Sequence, residues 1–188
     1  MDLSKKIKLK VASNKKGLRL DKFIDEVLHK KNSYYSIQNP LGKKNDFITS
    51  PEISQTFGEI IGAYLISLWE NKINSKFNFI ELGPGLGTLF SDIFRVAKKR
   101  PNFIKMANIF FVEKNSKLKK YQQKISYSLK IKDINWIKNL NINSNLPLVI
   151  YSNEFFDCFS IRQFIFQDQW LERYVNYNKK DEFLIIKN

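Results

Sequence analysis

The sequence predicts an α/β fold built on a parallel sheet. Two observations carry this prediction. Short apolar runs alternate with amphipathic helical stretches between residues 77 and 151, and the first run ends in a glycine-rich turn that opens a helix. In such a fold the strand order reverses near the first strand. Ligands bind there, in the crevice at the carboxyl ends of the strands.

Taken in order, Met1 to Lys16 is Lys-rich and reads as an edge element or a frayed end. From Leu20 the spacing turns helical, with Leu20, Phe23, Ile24, Val27 and Leu28 on one face. Lys30 to Asp46 contains the turn formers Asn39-Pro40-Leu41-Gly42 and reads as a long loop. Ser50-Pro51-Glu52 opens a second helix: Ser50 caps, Pro51 suits the first turn, and Glu52 complements the dipole. Thr49 to Glu52 also spells a capping box, one register earlier. The stripe Phe57, Ile60, Ile61, Tyr64, Leu65, Leu68 and Trp69 is expected to be the face this helix turns to the core.

Phe77 to Leu82 is the first strand, and Leu86, Leu89, Phe90, Ile93, Phe94 and Ala97 give the next helix its apolar side. Asn108 to Val112 is the second strand, closed by Glu113. A helix over Lys117 to Ser128 leads to a third strand, Leu129 to Ile134, and Leu146 to Tyr151 is a fourth, apolar enough to be buried. Helices are expected on both faces of this sheet. Beyond Asp157, Gln163 to Gln167 and Trp170 to Val175 flank Asp168-Gln169 as a hairpin. The expected division is an extension over residues 1–70 and a Rossmann-like domain over 76–188.

Composition excludes several classes. One cysteine, Cys158, and one histidine, His29, leave no cysteine zinc cluster and no His-rich metal site, so no metal is expected. No leader-like segment opens the chain and no apolar run is long enough for a bilayer, so a cytoplasmic location is the expectation, or the mitochondrial matrix for a eukaryotic chain. The net charge of +14 does not by itself indicate nucleic acid. Of 32 basic residues 27 are Lys and 5 are Arg, and Asn, Ile, Phe and Tyr are abundant too. All have A/T-rich codons, whereas nucleic-acid readers draw on Arg for phosphate and guanine.

The turn Glu81-Leu82-Gly83-Pro84-Gly85-Leu86-Gly87 is the first candidate site. Gly83, Gly85 and Gly87 supply backbone angles that other residues resist, and let a ligand approach the main chain. Dinucleotide enzymes space their glycines as G-x-G-x-x-G to seat a pyrophosphate. Here the spacing is G-x-G-x-G, and Glu81 stands two residues before it. That carboxylate would repel a pyrophosphate and suits a ligand with an ammonium or sulfonium group. S-adenosylmethionine has both and no phosphate. Glu113 ends the next strand, where an acidic residue accepts hydrogen bonds from the ribose hydroxyls; alone it would read equally as a solvated strand end. Asn135 and Trp136 fall after the third strand, where an adenine would lie; Trp136 fits a core position as well.

Asn153-Glu154-Phe155-Phe156-Asp157 follows the fourth strand and so opens at the same crevice. Methyl transfer needs chiefly alignment of the acceptor, and a guanidinium or amine acceptor also needs carboxylates to hold it and take a proton. Asn153, Glu154 and Asp157 are the candidates for that work. A turn that caps the next element is the plainer reading of the same residues.

With Ser33-Tyr34-Tyr35, Asp46-Phe47-Ile48-Thr49-Ser50-Pro51-Glu52-Ile53-Ser54, Glu81 to Leu89, Asn153 to Asp157, Ile161-Arg162-Gln163-Phe164 and Trp170-Leu171-Glu172, the chain resembles the MidA-like family of S-adenosylmethionine-dependent methyltransferases. The resemblance implies a Rossmann-like methyltransferase fold with a helical amino-terminal extension. It also implies a protein-arginine methyltransferase that makes symmetric dimethylarginine on a subunit of respiratory complex I. Thr49 and Ser50 join the cofactor-binding residues on this basis. Ser33 and Asn45 stand where the family pattern has Gly. A full methyltransferase sheet calls for strands beyond the fourth, which the hairpin and Phe183 to Ile186 cannot all supply, so the sheet is expected to be incomplete. The competing reading is a truncated, non-catalytic fragment that binds cofactor or serves assembly.

Overall fold

The computed structural model describes residues 2–30, 33–34, 48–131, 133–178 and 182–187. Asn45 and nearly all of the expected loop up to Asp46 lie outside the described residues, as do Tyr35, Phe47 and Asp46 of the family strings. The chain forms two compact units, one from residues 1–39 and 156–188 and the other from 40–155. This division differs from one near residue 70, because the helix that precedes the first strand packs on the helix that follows it, and both belong to the sheet unit.

The sheet unit contains α3 (Ser50–Ile53), α4 (Gln55–Lys72), β2 (Phe77–Leu82), α5 (Thr88–Ala97), α6 (Pro101–Met106), β3 (Ala107–Val112), α7 (Ser116–Ser128), β4 (Ile134–Ile137) and β5 (Leu148–Ser152). The other unit contains α1 (Leu3–Ala12), β1 (Leu18–Arg19), α2 (Leu20–Leu28), β6 (Phe164–Gln167), β7 (Gln169–Tyr177) and β8 (Phe183–Lys187). None of the described helices is long and apolar enough to cross a membrane.

The sheet of the 40–155 unit is parallel throughout, in the order β4-β3-β2-β5. The order reverses at β2, so the crevice opens at its carboxyl end as the alternation of elements predicts. Residues Phe77, Phe79, Phe111, Ile109, Ile134 and Val149 of one sheet face join Leu65, Ile66 and Trp69 of α4, Leu89, Phe90 and Ile93 of α5 and Phe103 of α6 in the main core. Phe79 and Phe103 meet edge-on at 5.3 Å, and Phe90 meets Phe111 at 4.9 Å, the geometry aromatic quadrupoles favour. On α7, Gln122 reaches Trp136 of the same face.

Helices on both faces were expected; among the described residues they pack on one face only. Steps from β2 to β3 and β3 to β4 run in one direction, and right-handed crossovers put both connections on one side. The reversal to β5 calls for the opposite side, but residues 138–147 make that connection without a helix. The second face is therefore a small cluster: Ile80, Leu82 and Val112, covered by Phe110, Ile137, Ile142 and Phe155. The fourth strand is not fully buried as expected, since β5 is an edge and leaves Leu148 and Ile150 53% and 43% exposed. The third strand also starts later than expected, at Ile134 rather than Leu129.

The expected helix from Ser50 is broken. Ser54 is extended (φ −142°, ψ 120°), which separates α3 from α4. Thr49 precedes α3 without a side-chain cap, so the capping box does not form; Glu52 instead accepts a hydrogen bond from the Thr88 hydroxyl at the start of α5. The buried face of α4 is also rotated from the expected stripe. Gly58, Gly62, Leu65, Ile66 and Trp69 face inward, while Ile60 and Tyr64 are 65% and 66% exposed. A Cβ at Gly58 would lie 2.5 Å from Asp92 Cβ, and one at Gly62 would lie 2.9 Å from Ile93 Cα. The two glycines let α4 and α5 approach backbone to backbone. Gly62→Val is therefore expected to destabilise the protein by about 1–3 kcal/mol in urea unfolding, the usual overpacking cost. Ile60→Ser, on the outer face, should stay within about 0.5 kcal/mol. Equal losses would put the core face back on the apolar stripe.

In the other unit, β6 and β7 form the expected hairpin, with Gln167 opposite Gln169 and Asp168 at φ 52° in the turn. β1 and β8 flank β7, antiparallel to it. The hairpin and the last strand thus make a sheet of their own and add nothing to the parallel one.

Candidate cofactor and acceptor site

Three strand ends converge at the reversal point. β2 ends at Leu82, β3 at Val112 and β5 at Ser152, and the first is paired with the other two. Gly83, Gly85 and Gly87 all take positive φ, at 61°, 55° and 85°. Gly87 ends the turn as the residue before α5, and its amide donates to the Pro84 carbonyl at 2.7 Å. A Cβ at Gly83 would lie 2.4 Å from a ring carbon of Phe155. The first glycine is thus required by the Asn153–Phe155 segment, and two motifs distant in sequence are in contact.

Glu81 is 3% exposed, and Tyr151 Oη donates to its carboxylate at 3.0 Å. Burial raises its pKa to about 8, and the Tyr151 hydroxyl offsets part of that rise. The same burial and the neighbouring carboxylate push the Tyr151 hydroxyl well above its usual range. Glu81 is thus protonated near pH 7 in the free protein. Its folded pKa lies above its unfolded value, so the stabilising contribution is complete at acid pH and is lost as pH rises from about 4.5 to about 8. Thermal melts across pH 5–8 should show wild type losing stability relative to Glu81→Gln as pH rises. Parallel pH profiles would show that Glu81 does not titrate in this range.

Glu113 follows β3, with its amide donating to the Ile137 carbonyl at 3.0 Å. One carboxylate oxygen accepts from the Asn115 amide at 2.7 Å and the other from Gln122 Nε2 at 3.2 Å. Burial raises the Glu113 pKa, and these hydrogen bonds oppose it. Gln122 also donates to the Gly85 carbonyl at 2.9 Å and accepts from the Trp136 indole at 2.9 Å. Lys119 lies over the Trp136 ring, 5.2 Å from its centre.

Asn135 does not follow its strand. It is the second residue of β4, opposite Phe110, and donates to the Ile109 carbonyl at 3.3 Å. The later strand start moves it back from the crevice, and it is bonded within the sheet. Trp136 is on the core face against Phe111 and also reaches Gln122, so both readings of it describe part of its surroundings.

Asn153 and Glu154 stand just beyond β5. Glu154 takes φ 48°, and its Oε1 accepts from the Ser50 amide at 3.3 Å and from Asn153 Nδ2 at 3.3 Å. Ser50 Oγ lies 3.5 Å from the same oxygen. The start of α3, with Thr49 and Ser50, is thereby brought to the second constellation. Asp157 falls in the other unit, exposed in the short 3-10 turn Phe156–Cys158. Two residues of this site escape sequence reasoning, Gln122 and Tyr151. Gln122 had a signal: it interrupts the apolar stripe Leu118, Ile125 and Leu129 at helical spacing.

The family model described as "Putative S-adenosyl-L-methionine-dependent methyltransferase" matches residues 60–186. The chain belongs to this family of S-adenosylmethionine-dependent methyltransferases. Mouse "Protein arginine methyltransferase NDUFAF7, mitochondrial" is 34% identical over 154 residues, covering 70% of this chain and 35% of the mouse protein. The human protein of the same name is 46% identical over 92 residues, 47% of this chain and 21% of its own length. A likely methyl transferase of Burkholderia thailandensis, solved bound to S-adenosyl-homocysteine, superposes with a TM-score of 0.77 at 20% identity. That superposition covers 99% of this chain and 49% of the bacterial one. The fold is thus the Rossmann-like one of these methyltransferases, and the relatives fit the MidA-like family. The chain spans about a third of the mouse relative's length.

The residues of the turn fit the family's cofactor. Glu81 is a buried carboxylate on which no cation of the described residues acts, so an ammonium or sulfonium group nearby would offset its burial. The Glu113 carboxylate is held by Asn115 and Gln122, one on each oxygen, at the end of β3, where a ribose hydroxyl would donate to it.

Proposed function

We propose that this chain carries the cofactor-binding part of an S-adenosylmethionine-dependent protein-arginine methyltransferase, and that its acceptor is a subunit of respiratory complex I, modified to symmetric dimethylarginine. The observation that supports it best is the convergence of Glu81, the glycine turn and Glu113 at adjacent parallel strand ends, with a carboxylate where a pyrophosphate enzyme would have none. The names of the curated relatives support arginine as the acceptor. Their mitochondrial designation supports a matrix location for a eukaryotic chain, and a bacterial chain would act in the cytoplasm.

The cofactor supplies an electrophilic methyl group on a sulfonium. The chain's residues do the rest. Glu81 balances the cationic end, Glu113 orients the ribose, and the turn admits the nucleoside to the main chain, flanked by Thr49 and Ser50. Asn153 and Glu154 hold the incoming guanidinium, and the Glu154 carboxylate takes the proton its nitrogen releases as the methyl is transferred. Titration calorimetry tests the cofactor assignment: micromolar S-adenosylhomocysteine binding with no heat from NADH is the expected result. Tight NADH binding would overturn it.

A second reading is favoured by the thin cover on the second sheet face, where Leu148 and Ile150 stay exposed. In it the chain binds cofactor and a partner protein without catalysis. Intact cofactor binding with no methyl transfer in a reconstituted assay would select it.

A further inference from the structure

We propose that Gln122 is a positioning residue for the cofactor, tying the glycine turn to the ribose-facing carboxylate Glu113. The inference rests on the cofactor reading above and adds a residue to it. Gln122 is fully buried in the middle of α7, where an apolar side chain would fill the same space. Its amide instead makes three hydrogen bonds to three different elements. Nε2 donates to the Gly85 carbonyl at 2.9 Å and to Glu113 Oε2 at 3.2 Å, while Oε1 accepts from Trp136 Nε1 at 2.9 Å.

Each bond has a consequence. Holding the Gly85 carbonyl toward α7 fixes the peptide plane that follows it, and so the direction of the next amide in the turn. Holding Glu113 Oε2, while Asn115 holds Oε1, locks the carboxylate plane in place. The Trp136 bond fixes the orientation of the amide itself, because an indole nitrogen only donates and so must meet the oxygen. With the oxygen committed, both Nε2 protons point to acceptors, one on the turn and one on the acid. A buried amide so satisfied specifies one arrangement of the three elements.

The test uses two substitutions of similar size. Gln122→Met removes all three bonds, and Gln122→Glu keeps the shape and the acceptor for Trp136 but sets a carboxylate against Glu113 and the Gly85 carbonyl. Each is made in wild type and in Glu113→Gln, thermal melts verify folding, and S-adenosylhomocysteine affinity is measured by calorimetry at pH 7.5. In wild type, Gln122→Met is expected to weaken binding about ten-fold, equivalent to ~1.4 kcal/mol, and Gln122→Glu to weaken it further. In the Glu113→Gln background the order should reverse, because the new carboxylate meets an amide donor. A packing role alone predicts the same order in both backgrounds, and that result, or wild-type affinity in either single variant, overturns the proposal. Failure of the unmodified protein to bind S-adenosylhomocysteine overturns the cofactor reading itself, and the proposal with it.

Discussion

Replacing Gly85 by valine is expected to abolish S-adenosylhomocysteine binding, with an affinity loss on the order of 100-fold or more, about 2.7 kcal/mol. Gly85 sits at φ 55°, where a β-branched residue is strained, and relief of that strain rotates the turn out of shape. The turn has little freedom to absorb the change. Its Gly85 carbonyl is bound to Gln122, and Gly83 is closed in by the Phe155 ring. The loss should appear in binding rather than in global stability, because the main core of Phe77, Phe79, Phe90, Phe111 and their neighbours does not include the turn. Calorimetry and a thermal melt of the same sample separate the two. Normal affinity in Gly85→Val would make the turn a structural feature only.

The site elements that were legible in the sequence are those whose signals are local. The glycines declare a positive-φ turn by their identity, and the apolar run before them declares a strand. Asp168-Gln169 declares the hairpin because the flanking strands alternate about it. What escaped depends on contacts between elements. The core face of α4 is an example: hydrophobicity selects Ile60 and Tyr64, but the closest approach to α5 is made by Gly58 and Gly62, which carry no apolar side chain at all. Asn135 was misplaced because 129–131 reads as apolar enough to begin a strand, whereas pairing with β3 starts only at Ile134. Gln122 is a polar residue on a Lys-rich helix, and its hydrogen-bond partners on the turn, on β4 and after β3 are distant from it in sequence. Its burial follows from the seating of α7.

The second large effect concerns methyl transfer itself. On the proposed function, Glu154→Gln is expected to slow transfer to a protein arginine by about 100-fold or more, the usual contribution of a general base, while cofactor affinity changes by no more than about three-fold. Glu154 follows β5, whose carboxyl end lies beside that of β2 and its glycine turn. Glu154 is held there in a left-handed conformation, with Ser50 and Asn153 both bonded to Oε1. Both of these bonds fall on Oε1, which leaves Oε2 to a guanidinium. An amide in its place keeps the shape but loses the charge and one acceptor, so the acceptor nitrogen is neither aligned nor deprotonated. The measurement is tritiated methyl incorporation into an arginine-bearing complex I subunit, with cofactor affinity determined on the same preparations. A wild-type rate in this variant would reduce Glu154 to a turn former. A parallel loss of cofactor affinity would move Glu154 into the cofactor's own surroundings, because its Oε1 already gathers the start of α3 to the end of β5.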